Sequence, residues 1–350
     1  MSEPCVVLAF GLPDELERPI REVSPKLRVV TLDAAQRHAY RGGRALWTAY
    51  GERRQPEEGL DPEAEASLNA VLAEAEVLFT TPLMPADIAA RAPNLRWVQL
   101  TSAGVDRLLD GDLARGGVTI TTATGIHAVP IGEYVLAVML AFAKGLPAAM
   151  RAQGERQWRP YLAEELHGKT VGIVGLGAIG GYVTALAKAD GMRVLAVRRS
   201  QQKREVGRDG VDELLPPSEL PYLLSQSDYV VIAVPLTLES RGLIGEAELA
   251  AMKPTARIIN IARGAVIDEA ALIAALKAGR IAGAALDVFE QEPLPPDSEL
   301  WGLENVILTP HISGGTPVYM QRAVALFCDN LRRYLDGQPL LNTVDVQRGY

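Results

Sequence analysis

A glycine-rich turn between an apolar strand and a helix places the strongest constraint on the fold of this chain. The stretch VGIVGLGAIGG, which begins at Val171, carries three glycines in G-x-G-x-x-G spacing. A strand pattern precedes them and a helix pattern follows from about Ala178, which is the context in which this motif binds dinucleotides. There Gly175 permits a tight turn, Gly177 lets a pyrophosphate approach the backbone, and Gly180 allows close helix-to-strand packing. A tight turn without a ligand is the alternative interpretation.

Short β-branched runs alternate with Ala/Leu/Glu-rich stretches along the rest of the chain, which predicts repeated βα units around parallel sheets. Most runs are apolar throughout, as expected where helices cover both sheet faces. A helical segment from about Pro130 to Gln153 separates two series of strands, so the pattern predicts two α/β domains. The first series comprises residues 6–10, 27–32, 77–81, 95–100 and 118–122, and the second 170–175, 192–197, 228–234, 256–261, 283–288 and 305–310.

Two segments fall outside this alternation. Residues 40–62 are rich in Gly, Pro and charge, which predicts an insertion or mobile loop on the first domain. Residues 316–337 carry apolar side chains at roughly helical spacing. That pattern predicts a helix but leaves open which domain it packs against.

Length and composition exclude several classes of protein. A chain of 350 residues exceeds the size at which one core keeps growing, and a net charge of -8 argues against a nucleic-acid binder. The longest apolar stretch, residues 134–143, is about half a membrane span and predicts a buried helix. Cys5 and Cys328 are too few for a disulfide framework or a metal site. With no signal-peptide pattern at the amino terminus, the expected location is the cytoplasm.

Three polar residues each follow a predicted strand of the second series. They are Arg263 in NIARGAVIDE, Glu292 in DVFEQEPLP and His311 in LTPHISGG. Open α/β sheets bind ligands at the carboxyl ends of their strands. An arginine fork suits a carboxylate, a histidine exchanges protons near neutral pH, and a glutamate can orient that histidine. A surface ion pair, a loop acid and a turn cap are the respective alternatives.

Over almost its whole length the chain resembles the D-isomer-specific 2-hydroxyacid dehydrogenases. The motifs that carry the resemblance, in the family's order, are LRWVQLTSAGVDRLL, GIHAVPIGEYVLAVMLAFAK, VGIVGLGAIG, VPLTLESRGLIG, INIARGAVIDEAAL, AALDVFEQEPLPPDSELW and NVILTPHISG. The resemblance implies two Rossmann-like or flavodoxin-like domains with parallel sheets and an active site in the cleft between them. It implies a substrate-binding domain of residues 1–125 plus 311–350 and a coenzyme domain of residues 126–310. The helix after Ile126 resembles the family's dimer-forming element, so a homodimer is expected.

The resemblance also implies roles for individual residues. Arg263 would bind the substrate carboxylate and polarise the carbonyl, His311 would be the general acid/base, and Glu292, rather than Glu290, would be its partner. The backbone of Ser102, Ala103 and Gly104 would hold the carboxylate from the other domain. Asp287 would face the nicotinamide amide. The full coenzyme set implied is Gly175, Gly177, Ala178, Ile179, Gly180, Pro235, Ser240, Ile261, Ala262 and Asp287, together with the arginine region described below.

The activity implied is NAD(P)-dependent reduction of a small 2-oxo acid, with glyoxylate and hydroxypyruvate as the first candidates. The substrate pocket would include side chains near Leu100, Tyr319 and Met320. Formate dehydrogenases of this fold usually carry glutamine at the position of Glu292, which argues against formate. A phosphite-type dehydrogenase and a non-enzymatic, coenzyme-sensing corepressor remain as alternatives. The filled catalytic positions and the lack of an evident partner-binding extension favour the enzyme.

The residues after the second strand of the coenzyme unit are unusual. An NAD-specific unit places Asp or Glu there to bind the ribose 2′-hydroxyl, whereas this chain has Arg198, Arg199 and Ser200. A guanidinium can bind a 2′-phosphate through paired, charge-assisted hydrogen bonds. Lys203 and Arg204 extend the basic region. The sequence therefore predicts that NADP(H) is favoured and NAD(H) possible, a solvated loop being the alternative.

Overall fold

The computed structural model describes residues 3–42, 61–105, 111–115 and 117–346, and the chain divides into two compact units. The first unit comprises Met1–Ile126 and Thr316–Tyr350, and the second His127–Gly315. The second unit includes residues 311–315, where the amides of Ile312 and Ser313 donate to the buried Asp287 carboxylate. Residues 43–60 of the expected insertion at 40–62 lie outside the described residues.

The first unit contains a five-stranded parallel sheet in the order β2-β1-β3-β4-β5. Its strands are β1 (Cys5–Leu8), β2 (Arg28–Thr31), β3 (Val77–Thr80), β4 (Trp97–Leu100) and β5 (Thr119–Thr121). The helices between them are α1 (Asp14–Arg21), α2 (Ala34–Tyr40), α3 (Pro62–Glu74) and α4 (Ile88–Arg91). All five strands lie within the predicted series except that β1 begins one residue earlier. Alternate side chains enter separate apolar layers, with Val7 and Leu78 in one and Val6 and Phe79 in the other.

The second unit contains an eight-stranded sheet in the order β13-β12-β11-β10-β6-β7-β9-β8. Its strands are β6 (Thr170–Val174), β7 (Arg193–Val197), β8 (Glu205–Val206), β9 (Glu213–Leu215), β10 (Tyr229–Ile232), β11 (Arg257–Asn260), β12 (Gly283–Leu286) and β13 (Val306–Leu308). All neighbours pair in parallel except β8 with β9. The strand order reverses between β6 and β10, which creates a crevice at their carboxyl ends. The sequence pattern did not predict β8 and β9, because two or three residues are too short for a periodic signal.

Helices cover both faces of the second sheet. They are α5 (Ala128–Ala143), α6 (Leu146–Gly154), α7 (Ala178–Ala189), α8 (Leu220–Gln226), α9 (Glu246–Ala251) and α10 (Glu269–Lys277). The single helical segment expected at 130–153 is in fact two helices, α5 and α6, bent by 65°. The break lies at Gly145, whose φ of 63° ends α5, and Pro147 in the first turn of α6 suits a new helix start. Among the described residues no single helix meets the length and apolarity criteria for crossing a membrane, and only this bent pair does so jointly, by length and composition.

The last helix, α11 (Tyr319–Leu335), belongs to the first unit. Its buried face carries Phe327, which stacks on Phe79 with ring centroids 4.2 Å apart and lies 5.4 Å from the Trp97 ring. Asn330 on the same helix donates to the Gln99 side chain at 2.9 Å. The helical spacing of residues 316–337 left open which domain this helix packs against. These contacts join α11 to β3 and β4 of the first unit.

Candidate active site

The three glycines of the turn after β6 lie in different local environments. Gly175 has a φ of 105°, and a Cβ at this position would lie 2.6 Å from the carbonyl oxygen of Ala233. A Cβ on Gly180 would lie 2.4 Å from the carbonyl oxygen of Gly175. No described atom lies within 4 Å of the corresponding point at Gly177, which begins α7 without a side-chain cap. The uncapped amides at this helix start, with Ala178 exposed and Ile179 half-buried, fit the phosphates of a dinucleotide.

The end of β7 lies beside the glycine turn, because the Gly175 amide donates to the Val197 carbonyl at 3.0 Å. Arg198 follows as a half-buried side chain, and Arg199 and Ser200 are exposed. The Arg198 guanidinium donates through Nη1 to Asp209 Oδ2 at 2.7 Å. The predicted basic region therefore contains a carboxylate of its own.

Arg204, which the sequence analysis placed in the same basic region, has carboxylate partners as well. Its Nε donates to Glu219 at 2.9 Å, and its Nη1 lies 3.2 Å from Glu213. Its guanidinium also lies 4.1 Å above the ring of Tyr222. These contacts hold Arg204 on the surface formed by β9 and α8.

The loop after β10 contains Pro235 and Ser240, two residues of the implied coenzyme set. The buried Ser240 hydroxyl donates to the Pro235 carbonyl at 2.7 Å and accepts from the Thr237 amide at 2.8 Å. Ser240 thus stabilises the turn, while Pro235 is exposed at its start. Both positions follow the strand that borders the crevice.

Arg263 stands in a loop that its neighbours hold in one conformation. The Asn260 side chain ends β11 by donating to the Arg263 carbonyl at 3.0 Å and accepting from the Ala262 amide at 3.1 Å. Arg263 Nη1 donates to the Ala262 carbonyl at 2.8 Å. A Cβ on Gly264 would lie 1.9 Å from the Phe289 carbonyl carbon, so only glycine lets the loops after β11 and β12 meet. Asn260 and Gly264 were not among the predicted site residues, although the glycine directly after Arg263 was an available signal.

Asp287 follows β12 and is 0% exposed. Its Oδ1 accepts from the Thr309 hydroxyl at 2.6 Å and from the Ile312 amide at 2.9 Å, and its Oδ2 accepts from the Ser313 amide at 2.9 Å. The Tyr134 hydroxyl lies 2.7 Å from the Thr309 hydroxyl. Both carboxylate oxygens therefore fix the segment that carries the histidine. Sequence reasoning expected this carboxylate to face the nicotinamide and did not identify Thr309.

His311 and Glu292 form a pair beyond two neighbouring strands, β13 and β12. His311 has a φ of 54°, and its amide donates to the Asp287 carbonyl at 2.8 Å. His311 Nδ1 lies 2.8 Å from Glu292 Oε2, while Glu292 Oε1 accepts from the Phe289 amide at 3.1 Å. The imidazole side chain is 48% exposed, and across the described ranges no partner is found for its Nε2. The pair thus orients the ring through Nδ1 and leaves Nε2 for a ligand.

The electrostatic environment of Glu292 favours its charged form. Burial, the largest single influence, raises the pKa of this carboxyl group, whereas the hydrogen bond and charge of His311 lower it. The Phe289 amide and the Arg263 charge lower the pKa further, so that it lies below its ordinary value. The neighbouring Glu290 does not take this place, since its amide instead donates to Glu269 at 3.2 Å.

The loop of Ser102, Ala103 and Gly104 follows β4 in the first unit. The Ser102 hydroxyl donates to the Gly104 carbonyl at 3.0 Å, and the Ser102 carbonyl accepts from the Ala123 amide at 2.8 Å. Ala103 is exposed at the tip. The expected role of this loop in binding a carboxylate stays a prediction.

Doubly wound parallel sheets with an open glycine turn bind dinucleotides at this crevice, and here a histidine–glutamate pair lies beyond neighbouring strands of the same sheet. Residues 136–313 match the family model described as D-isomer specific 2-hydroxyacid dehydrogenase, NAD binding domain. The chain is 37% identical over 279 residues to a glyoxylate reductase of Korarchaeum cryptofilum, covering 77% of this chain and 82% of that one. The chain belongs to the D-isomer specific 2-hydroxyacid dehydrogenase family.

Two solved structures resemble the whole chain. A D-isomer specific 2-hydroxyacid dehydrogenase from Xanthobacter autotrophicus Py2, in complex with NADPH and MES, is 33% identical with a TM-score of 0.78 and full coverage of both chains. An NADPH-dependent glyoxylate/hydroxypyruvate reductase from Sinorhizobium meliloti, in complex with NADP and sulfate, is 27% identical with a TM-score of 0.75, covering 99% of this chain and 100% of that one. The predicted family, the α/β fold class and the oxidoreductase class are confirmed. The chain is an NAD(P)-dependent 2-hydroxyacid dehydrogenase.

Proposed function

We propose that this dehydrogenase reduces a small 2-oxo acid, glyoxylate or hydroxypyruvate, and favours NADP(H) over NAD(H). The hydrogen bond of 2.8 Å between His311 Nδ1 and Glu292 Oε2 carries the proposal of a reductase. It occupies Nδ1 and turns Nε2 away from Glu292, so that Nε2 can exchange a proton with a substrate. The names of the relatives support the choice of substrate. Arg198 after β7 supports the choice of coenzyme.

In this proposal each residue has a separate task. The nicotinamide, when bound, supplies a hydride for the carbonyl carbon. Protonated His311 gives a proton from Nε2 to the carbonyl oxygen, while Glu292 holds the ring in place through Nδ1. Arg263 binds the substrate carboxylate and stabilises the negative charge that develops on the oxygen. The step adds one hydride and one proton, which together convert the 2-oxo acid into the 2-hydroxy acid.

The second unit is the proposed coenzyme domain, and the first the proposed substrate-binding domain. The turn from Gly175 to Gly180 would hold the pyrophosphate at the start of α7, and Arg198 with its neighbours would bind the 2′-phosphate. The backbone of Ile261 and Ala262 would contact the nicotinamide. In this assignment Asp287 acts on the nicotinamide site through the 309–313 segment that it holds.

Absorbance at 340 nm during incubation with NADPH or NADH and a panel of 2-oxo acids tests this function. We expect the highest kcat/KM with NADPH and glyoxylate or hydroxypyruvate. His311→Ala should lower kcat by about 100-fold or more, the usual contribution of a general acid, and the exposed His167→Ala serves as control. Wild-type turnover in His311→Ala would overturn the catalytic assignment, and a higher kcat/KM with NADH would overturn the coenzyme preference.

We also propose that the chain forms a homodimer through α6 and the segment that follows it. This region presents large apolar side chains to solvent, among them Met150, Trp158 (95% exposed) and Leu162 (100% exposed). Several large apolar side chains exposed within one segment are typical of an interface. Sedimentation should give twice the mass of one chain for the wild type and for the control Leu238→Asp, and the monomer mass for Leu162→Asp. A wild-type monomer would contradict the proposal. The expected cytoplasmic location stays a prediction.

A further inference from the structure

The turn between β8 and β9 brings a carboxylate to the arginine that follows β7. Strand β9 pairs with β7 in parallel, with Val197 opposite Leu215, and β8 pairs with β9 in antiparallel fashion. Asp209 in the connecting turn has a φ of 51° and is followed by Gly210 with a φ of 80°. This left-handed turn places Asp209 Oδ2 at 2.7 Å from Arg198 Nη1.

Asp209 is the only hydrogen-bond acceptor for the Arg198 guanidinium within the described ranges. The Nε of Arg198 is buried without a hydrogen-bond partner among the described residues, and the side chain as a whole is 30% exposed. The same Oδ2 of Asp209 lies 3.9 Å from the Nε of Arg208, so the carboxylate faces two cationic groups. The Nη1 group of Arg198 is thus already paired with a carboxylate.

We propose that Asp209 is a coenzyme-selectivity residue that competes with the 2′-phosphate of NADP(H) for Arg198. This inference rests on the proposed role of Arg198 in binding that phosphate. A phosphate dianion beside Arg198 must either displace the Asp209 carboxylate or remain close to its negative charge, and both cost binding free energy. A 2′-hydroxyl carries no charge and meets neither cost. The acid that is missing directly after β7 is therefore supplied by the next hairpin, and it reduces the preference for NADP(H).

The variant Asp209→Asn tests the inference with little risk to the fold. Asparagine has nearly the same shape and is among the residues that tolerate left-handed backbone. Glu205→Gln is the matched control, because it removes one negative charge from the same hairpin while Glu205 pairs with Arg208 rather than Arg198. Calorimetric titration with 2′,5′-ADP and with 5′-AMP measures the effect on the phosphate without requiring turnover.

We expect Asp209→Asn to bind 2′,5′-ADP about fivefold more tightly than the wild type, since an exposed ion pair is worth up to about 1 kcal/mol. Binding of 5′-AMP should change by less than about twofold, and Glu205→Gln should resemble the wild type with both ligands. The ratio of kcat/KM for NADPH over NADH should rise by the same factor as the 2′,5′-ADP affinity.

Two results would overturn the inference. Unchanged or weaker binding of 2′,5′-ADP by Asp209→Asn would make Asp209 a residue that merely holds the guanidinium in position. A full gain in the Arg198→Gln background would show that Asp209 acts without Arg198. The proposed function is tested by a different measurement. A wild type with a higher kcat/KM for NADH than for NADPH would contradict the proposed coenzyme preference, whatever the effect of Asp209→Asn on 2′,5′-ADP binding.

Discussion

Replacing Glu292 with glutamine should impair the proposed proton transfer while preserving the shape of the site. The carboxylate accepts two hydrogen bonds, one at 2.8 Å from His311 Nδ1 and one at 3.1 Å from the Phe289 amide. A carboxamide has one acceptor and one donor end, so it cannot accept both. Either the Phe289 amide loses its acceptor, or His311 Nδ1 faces an N–H group and can no longer carry a proton.

The expected magnitude follows from the bond that is lost. A hydrogen bond to a charged group contributes about 1.5–3 kcal/mol, which corresponds to a fall of about 10- to 100-fold in kcat/KM.

Steady-state reduction of glyoxylate with NADPH at about pH 7 measures the effect. Glu290→Gln is the matched control, since Glu290 lies two residues away, is exposed and has no contact with His311 among the described residues. The affinity for NADPH, followed by fluorescence titration, should stay near the wild-type value. A kcat/KM within about twofold of wild type, or an equal fall in Glu290→Gln, would refute the assignment of Glu292 as the histidine's partner.

Three further predictions concern the framework of the site. Thr309→Val removes the 2.6 Å donor to the buried Asp287 carboxylate and should cost about 1–3 kcal/mol of stability, with a lower kcat and a lower Tm by calorimetry. Gly264→Ala places a methyl group 1.9 Å from the Phe289 carbonyl carbon and should lower Tm by several °C, at about 2–4 °C per kcal/mol. The pKa of Glu292 is lower in the folded chain than in the unfolded one, so its stabilising contribution is present above the unfolded value and is lost as the pH falls through the folded value. Urea midpoints should therefore fall more steeply on acidification below about pH 4.5 in the wild type than in Glu292→Gln.

Each of these predictions has a control or a contradicting result. Gly302→Ala adds a methyl group where no described atom lies within 4 Å and should leave Tm unchanged. An unchanged Tm in Gly264→Ala would show that the loops after β11 and β12 can separate without cost. An unchanged kcat in Thr309→Val would mean that the two backbone amides alone hold the carboxylate of Asp287. Parallel urea curves for wild type and Glu292→Gln would exclude a stabilising charge on Glu292.

Much of the framework could be predicted because its signals are local. The glycine spacing from Gly175 to Gly180, with a strand before and a helix after, is contained in one short stretch. The main strands of both sheets are short, continuous apolar runs that alternate with helical stretches. Gly145 and Pro147 were available local signals for the break between α5 and α6, but apolar residues continue on both sides of them, so the spacing of apolar residues predicted one helical segment. The pattern did not show β8 and β9, whose pairing depends on a neighbouring strand.

The sequence by itself determined the α/β class and the succession of the main strands along the chain. It also determined that Arg263, Glu292 and His311 follow such strands, since all of these depend on patterns within a few residues. Only the tertiary structure decided which distant groups meet. In the fold the Asp287 carboxylate accepts a hydrogen bond from the amide of Ile312, next to His311, and the Asp209 carboxylate accepts one from Arg198. Hydrogen bonds and ion pairs between separate elements leave no periodic mark on a chain, because any polar residue in a loop fits the local pattern equally well. Whether Arg198 meets a coenzyme phosphate with or without a competing carboxylate is therefore set by the fold of the hairpin that follows β7.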